Sequence, residues 1–260
     1  MKRPTFLDLR AAELEAAAPV RPGLFLGRLD AAMLERELEE AGILSGLAER
    51  GYPSVRIRTS LEAGEHRLRI LPVGGSTPLL DLRTSESSTF LKDPRMSRLG
   101  LEVLSFLSMN WLTLQDPRRT FTKDRPALPG QEHPGLGLLR CVYSRLIQWA
   151  EDWGKDGLLG FPEYYHNAAI YSRAFRFLSP VRQGRFEALR QALSGLPLAE
   201  ASRLVSEGRV RDGATEQALL WEPAEMVAAT STDVRHYLES ADYRTAAADA
   251  GKAARFTIAG

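Results

Sequence analysis

The chain has 260 residues, 44% of them hydrophobic and 26% charged, with a net charge of +1. At ~100–200 residues per domain this is one large domain or a domain with an appendage, and the composition excludes wholesale disorder, a collagen-like chain and a disulfide scaffold. The near-neutral balance removes any global pull toward nucleic acid, leaving at most a local basic groove. The single cysteine, Cys141, can form neither an intramolecular disulfide nor a Cys-rich zinc site, which fits a reducing compartment and a cytoplasmic location. Asp8, Arg10, Glu13 and Glu15 break the apolar stretch that a signal peptide needs. Leu101–Leu114, the greasiest window, falls short of the ~20 apolar residues of a spanning helix, so no membrane association is expected. The excess of Arg over Lys, with abundant Ala, suggests a GC-rich bacterial genome.

Thr5–Ala18 reads as a short helix ended by Pro19 and Pro22, an N-terminal arm over residues 1–23. Leu24-Phe25-Leu26 reads as a short strand, and Asp30 caps a helix from Ala31 to Glu40 that continues over Ile43–Arg50. Alternation in Val55–Arg58 and again in His66–Val73, around a turn at Leu61–Glu65, predicts a β-hairpin, with a third strand at Leu79–Arg83. Leu101–Leu114 fits neither period cleanly and is read as a buried strand near Trp111–Leu114. Arg118–Pro134, with Pro126, Pro129 and Pro134, is an irregular loop of unusual length. The strongest helix follows, with Leu138, Leu139, Val142, Tyr143, Leu146, Ile147, Ala150 and Trp153 on one face. Leu158–Phe161 is a short buried strand, Asn167–Ala174 a helix and Phe175–Leu178 another strand. From residue 181 to 260 the pattern reads as a helical extension: helices around Phe186–Leu193, Ala199–Val205, Ala224–Ala229 and Val234 to about Ala250.

The informative segment is Pro129-Gly130-Gln131-Glu132-His133-Pro134-Gly135-Leu136-Gly137, at the mouth of the strongest helix. Gly135 and Gly137 carry no side chain to block a close approach, and the first helical N–H groups lie at the positive end of the helix dipole, so a phosphate fits there. A glycine turn that lets the helix pack closely is the other reading. His166 can act as a base near neutrality or be a buried, satisfied ring, and His133 has the same two readings. Glu132 is a base if it faces a cleft and inert on the surface. Glu163 and His166 resemble half of a carboxylate metal site whose second half is missing, so no metal is expected. No G-x-S-x-G elbow appears, Cys141 sits on the helix as a packing residue, and Arg118, Arg119, Lys123 and Arg125 form a basic patch in the long loop.

The order glycine-led helix, short strand, Tyr-bearing helix and aromatic strand, with Gly135-Leu136-Gly137 in front and Asn167-Ala168-Ala169-Ile170-Tyr171 before Phe175-Arg176-Phe177, resembles the acetyl-CoA-binding half of the GNAT acyltransferase superfamily. The upstream strand, helices and meander fit the same superfamily over residues 24–178. The resemblance implies an α+β domain over 24–180, with a mostly antiparallel central sheet flanked by helices and split by a V-shaped cleft. Acetyl-CoA or another acyl-CoA would lie there on Gln131, His133, Gly135, Leu136, Gly137 and Asn167. Tyr171 would donate a proton to the departing thiolate, with His166 or Glu132 as base, and a small-molecule or protein amine would accept the acyl group. The loop differs from the family pattern: Glu132 stands where Gln or Arg is usual, and Pro134 removes one N–H. These departures favour the alternative, a catalytically inactive GNAT-like interaction or regulatory protein.

Overall fold

Asp30 opens the first helix among the described residues, as the sequence predicts: its carboxylate accepts from the Met33 N–H and caps α1 (Ala31–Glu40). The computed structural model describes residues 23–90 and 103–259. The expected helix Thr5–Ala18 lies outside them. The chain is mixed α+β with a mostly antiparallel sheet, and it divides into two compact units. One comprises Met1–Thr113 with Gly137–Leu158, the other Leu114–Leu136 with Leu159–Gly260.

In the first unit, Leu24-Phe25-Leu26 forms a tight turn instead of the expected strand. Phe25 bridges back to Leu29, and Leu26 and Gly27 both have positive φ, a conformation that no extended strand contains. Helix α2 (Ile43–Glu49) follows α1. Strands β1 (Val55–Glu62) and β2 (Glu65–Pro72) form the predicted hairpin, but around only two residues, Ala63 and Gly64, both at positive φ. Leu68 and Ile70 of β2 are buried, while Arg67 on the opposite face makes a two-pronged ion pair with Asp81. Strand β3 (Leu80–Phe90) runs well beyond the expected Arg83. Strand β4 is Val103–Leu114, not a short strand near Trp111: Leu104, Phe106, Leu107, Ser108 and Met109 are buried and Trp111 is 44% exposed. A strand covered on both faces shows no alternation, which is why its period is unreadable. Helix α3 (Leu139–Asp152) buries Val142, Leu146, Trp149 and Ala150, its large side chains each contributing about 1.5–3 kcal/mol. Strand β5 (Gly157–Gly160) follows, and hydrogen-bonded neighbours run β1-β2-β3-β4-β5.

In the second unit come α4 (Tyr165–Tyr171), β6 (Arg176–Phe177), α5 (Pro180–Ala192), α6 (Leu198–Ser206) and β7 (Val210–Asp212). Then follow β8 (Met226–Ala229), α7 (Thr232–Glu239), α8 (Ala241–Ala253) and β9 (Phe256–Ile258). Strand β8 pairs antiparallel with β6, and β7 pairs with β9 separately. The expected all-helical extension is therefore corrected: in place of a helix over Ala224–Ala229 stands the strand Met226–Ala229. Its Met226, Val227 and Ala228 are all buried, and so short an apolar run carries no period to separate strand from helix. The helix expected from Val234 to Ala250 is two, broken at Ser240, whose extended backbone and hydroxyl cap α8.

Candidate functional site

The long loop is closed at its neck. Asp116, buried at the end of β4, donates its N–H to the Pro134 carbonyl at 2.8 Å, and its carboxylate holds the Arg118 N–H and the Arg119 guanidinium. Between these anchors the loop has no helix or strand, and Arg118, Arg119, Lys123 and Arg125 are exposed. Gln131 is spent locally: its N–H donates to the Leu128 carbonyl and its side-chain oxygen accepts from the Leu128 N–H. Glu132 is exposed and His133 half-buried. Gly130 has φ +77°, and a Cβ there would stand 2.7 Å from the Tyr164 ring, so the loop's backbone lies directly on that aromatic face. No hydrogen bond joins Gln131, Glu132 or His133 to His166, Asn167 or Tyr171. Gly130 and Tyr164 make the contact that sequence reasoning missed; only the Pro-Gly turn hinted at it.

Gly135 has room for a side chain, since an added Cβ would come no closer than 3.6 Å to the Leu114 carbonyl. Leu136 is buried, so only its backbone can face a ligand. At the mouth of α3, Gly137 is exposed with φ +73°, the backbone state that calls for glycine. Leu138 packs into Gly46 of α2, where a Cβ would stand 2.6 Å from its methyl group. No side chain caps α3, so its first N–H groups keep their donor capacity. Beside them lies the Arg50 guanidinium, which holds the Gly46 carbonyl at 2.7 Å and stands 3.8 Å from where a Gly137 Cβ would be. Arg50, 87 residues upstream of Gly137, has no signal in the sequence that ties it to the loop. An exposed glycine, unbonded helical donors and a guanidinium together suit an anion.

In α4, Tyr164 is the N-cap and the Asn167 side chain accepts its N–H at 3.1 Å, a reciprocal capping arrangement that occupies the Asn167 oxygen. His166 is 3% exposed, bonds Ser202 Oγ through Nδ1 at 2.8 Å and stacks on Tyr164. Burial pushes its pKa down to about 4, so the ring is neutral near pH 7 and a weak base. Ser202 is wholly buried, which removes it as a nucleophile. Glu163 is exposed while His166 is buried, so they do not form half of a metal site. Among the described residues no three His, Cys, Asp or Glu side chains gather as metal ligands.

Tyr171 closes α4. It is 8% exposed, its ring packs at 5.5 Å on Phe175, and no described residue hydrogen-bonds its hydroxyl. Burial pushes its pKa up to about 12, so the phenol holds its proton across the neutral range. No helix among the described residues is long and apolar enough to cross a membrane. Compared with known family models, curated proteins and solved structures, the chain matches none.

Proposed function

We propose that the chain is a cytoplasmic, acyl-CoA-dependent N-acyltransferase of the GNAT type. The observation that carries this reading is the Tyr171 phenol, its ring buried, its proton retained and its hydroxyl bonded to no described residue. The ring is buried, but the hydroxyl oxygen is not among the described buried polar atoms that lack a partner, so it is reachable at the end of α4 and can donate to an arriving acceptor. Acyl transfer supplies that acceptor. As the amine nitrogen bonds to the thioester carbonyl carbon and the C–S bond breaks, the departing sulfur takes the phenolic proton; the ammonium proton leaves to solvent, and the phenolate takes one back from solvent, which restores the phenol. His166 is too weak a base for that last step and instead packs α4 against Ser202. Within the first unit, and considered by themselves, Gly137, the uncapped start of α3 and Arg50 suit an anion such as the phosphates that an acyl-CoA carries.

The second reading, an interaction or regulatory protein without the reaction, is favoured by the Gln131 and Asn167 side chains, both occupied by local caps. Calorimetric and thermal-shift titration with acetyl-CoA and longer acyl-CoAs separates the two. The enzyme reading expects saturable stabilisation of the folded chain that Arg50→Gln weakens and Gly137→Glu abolishes. A folded protein with no affinity for any acyl-CoA overturns it in favour of the interaction reading.

A further inference from the structure

The second unit contains a cavity of about 260 Å³ that the acyltransferase reading does not use. One wall is a face of α5, where Arg182, Arg185 and Phe186 follow at helical spacing; the other is the chain from Asp212 to Glu222, with Phe256 of β9. Its floor is aromatic. Phe177 and Phe186 meet edge to face at 5.3 Å, Phe186 and Trp221 at 6.3 Å, and Trp221 is held in place by its indole N–H on the Pro162 carbonyl. At its margin Leu220 is 66% exposed, an apolar surface that the fold leaves in water.

Two ion pairs complete the lining, and they are unequal. Arg185 bonds Asp212 at 2.6 Å, and its guanidinium lies over the Phe256 ring, while the Asp212 carboxylate also accepts the Ala214 N–H and is largely covered. Arg182 bonds Glu222 at 2.7 Å, but with side chains 46% and 64% exposed. A solvent-exposed pair of this kind contributes ~0–1 kcal/mol and opens at little cost. The lining carries two positive and two negative charges, so neither a simple anion nor a simple cation finds a net attraction. A zwitterion does, because its two ends can take the places of the two members of the pair that opens. At 2.7 Å the closed pair admits nothing between its members; once it opens, a ligand whose opposite charges leave one α-carbon can face both side chains at the same time. The volume falls below the ~300–1,000 Å³ of sites for drug-sized ligands and suits one amino acid.

We propose that this cavity binds a free α-amino acid with a large apolar side chain. Its carboxylate lies on Arg182, its ammonium group on Glu222, and its side chain rests on Phe177, Phe186 and Trp221. The site stands whether or not the chain uses acyl-CoA. The test is calorimetric titration of the full chain with L-phenylalanine, L-phenylalanine methyl ester and N-acetyl-L-phenylalanine. Saturable binding of the amino acid is expected, weakened roughly tenfold or more by blocking either charged group. Arg182→Gln and Glu222→Gln, both on exposed side chains and checked for folding by circular dichroism, are each expected to weaken it similarly. The proposal is overturned if millimolar L-phenylalanine gives no saturable signal, if the ester or the N-acetyl derivative binds equally well, or if neither variant changes the affinity.

Discussion

Gly184 of α5 and Ala247 of α8 approach so closely that a Cβ on Gly184 would stand 1.9 Å from the Ala247 carbonyl oxygen. The obstacle is backbone, which cannot swing aside as a long side chain can. Gly251, one turn further along α8, is its counterpart, with the Gly184 carbonyl oxygen 3.2 Å from where a Cβ would be. The two helices therefore meet through small residues at backbone distance. Gly184→Ala must push them apart, and a destabilisation of ~3 kcal/mol or more is expected as a fall in the urea midpoint. Gly195, where an added Cβ meets nothing within 4 Å, is the control: Gly195→Ala should stay within ~1 kcal/mol of the parent. Equal midpoints for all three proteins would refute the close approach.

Glu37 joins α1 to α3 with a single oxygen, which accepts from the Arg145 guanidinium at 2.7 Å and from the Trp149 indole at 2.8 Å. Trp149 is buried, so loss of the acceptor strands its N–H. Glu37→Ala is expected to cost ~1–3 kcal/mol. Glu37→Gln keeps an acceptor without the charge and should recover part of that loss. Chemical denaturation of both variants measures the difference, and an unchanged stability for Glu37→Ala would show that the bonds add nothing.

Legibility follows from where the partner of each residue lies. Helix α3 is readable because its apolar residues fall on one face, and the cap on α1 because Asp30 and the N–H that donates to it, on Met33, are three residues apart. Strand β3 fades after Arg83 because Ser85 and Ser87 are polar, yet they are satisfied by Asn110 and Ser108 on β4, which only the folded sheet supplies. The site divides in the same way. The demand for glycine at Gly137 is local and is visible in the sequence; the indifference of Gly135 to a side chain is not, because it depends on the space beside Leu114. His166 reads equally as base or packing residue until Ser202, 36 residues later, is found on its ring. Arg50 and the Gly130–Tyr164 contact are set wholly by tertiary structure.

The phenol of Tyr171 makes a kinetic prediction for the proposed reaction. With its pKa pushed up to about 12 by burial, it stays a proton donor through any practical assay range. Tyr171→Phe removes only the hydroxyl from a packed ring and should fold. It is expected to lower kcat by roughly 100-fold, the scale of general-acid assistance, with little change in KM for the acyl-CoA. The parent should show no alkaline loss of rate from this group below about pH 11. A variant that turns over as fast as the parent removes Tyr171 from the chemistry.

Burial of His166 makes the fold acid-sensitive in a defined window. In the unfolded chain the ring takes up a proton near its ordinary value of 6.5, whereas in the folded chain it stays neutral until about 4. Between those values the unfolded state binds more protons, so stability is complete above pH 6.5, falls as the pH drops through the window, and levels off below about 4. The gap corresponds to at most about 3 kcal/mol. Carboxylates held below their usual range, such as Asp212 on Arg185, also lose stability in acid, so the parent's curve alone does not isolate the histidine. The difference from His166→Gln does, because that variant keeps a hydrogen-bonding side chain facing Ser202 and has nothing to titrate there. Urea denaturation from pH 7 to pH 4 should show the two stabilities converging as the pH falls, and parallel curves would mean that the ring is solvated instead of buried.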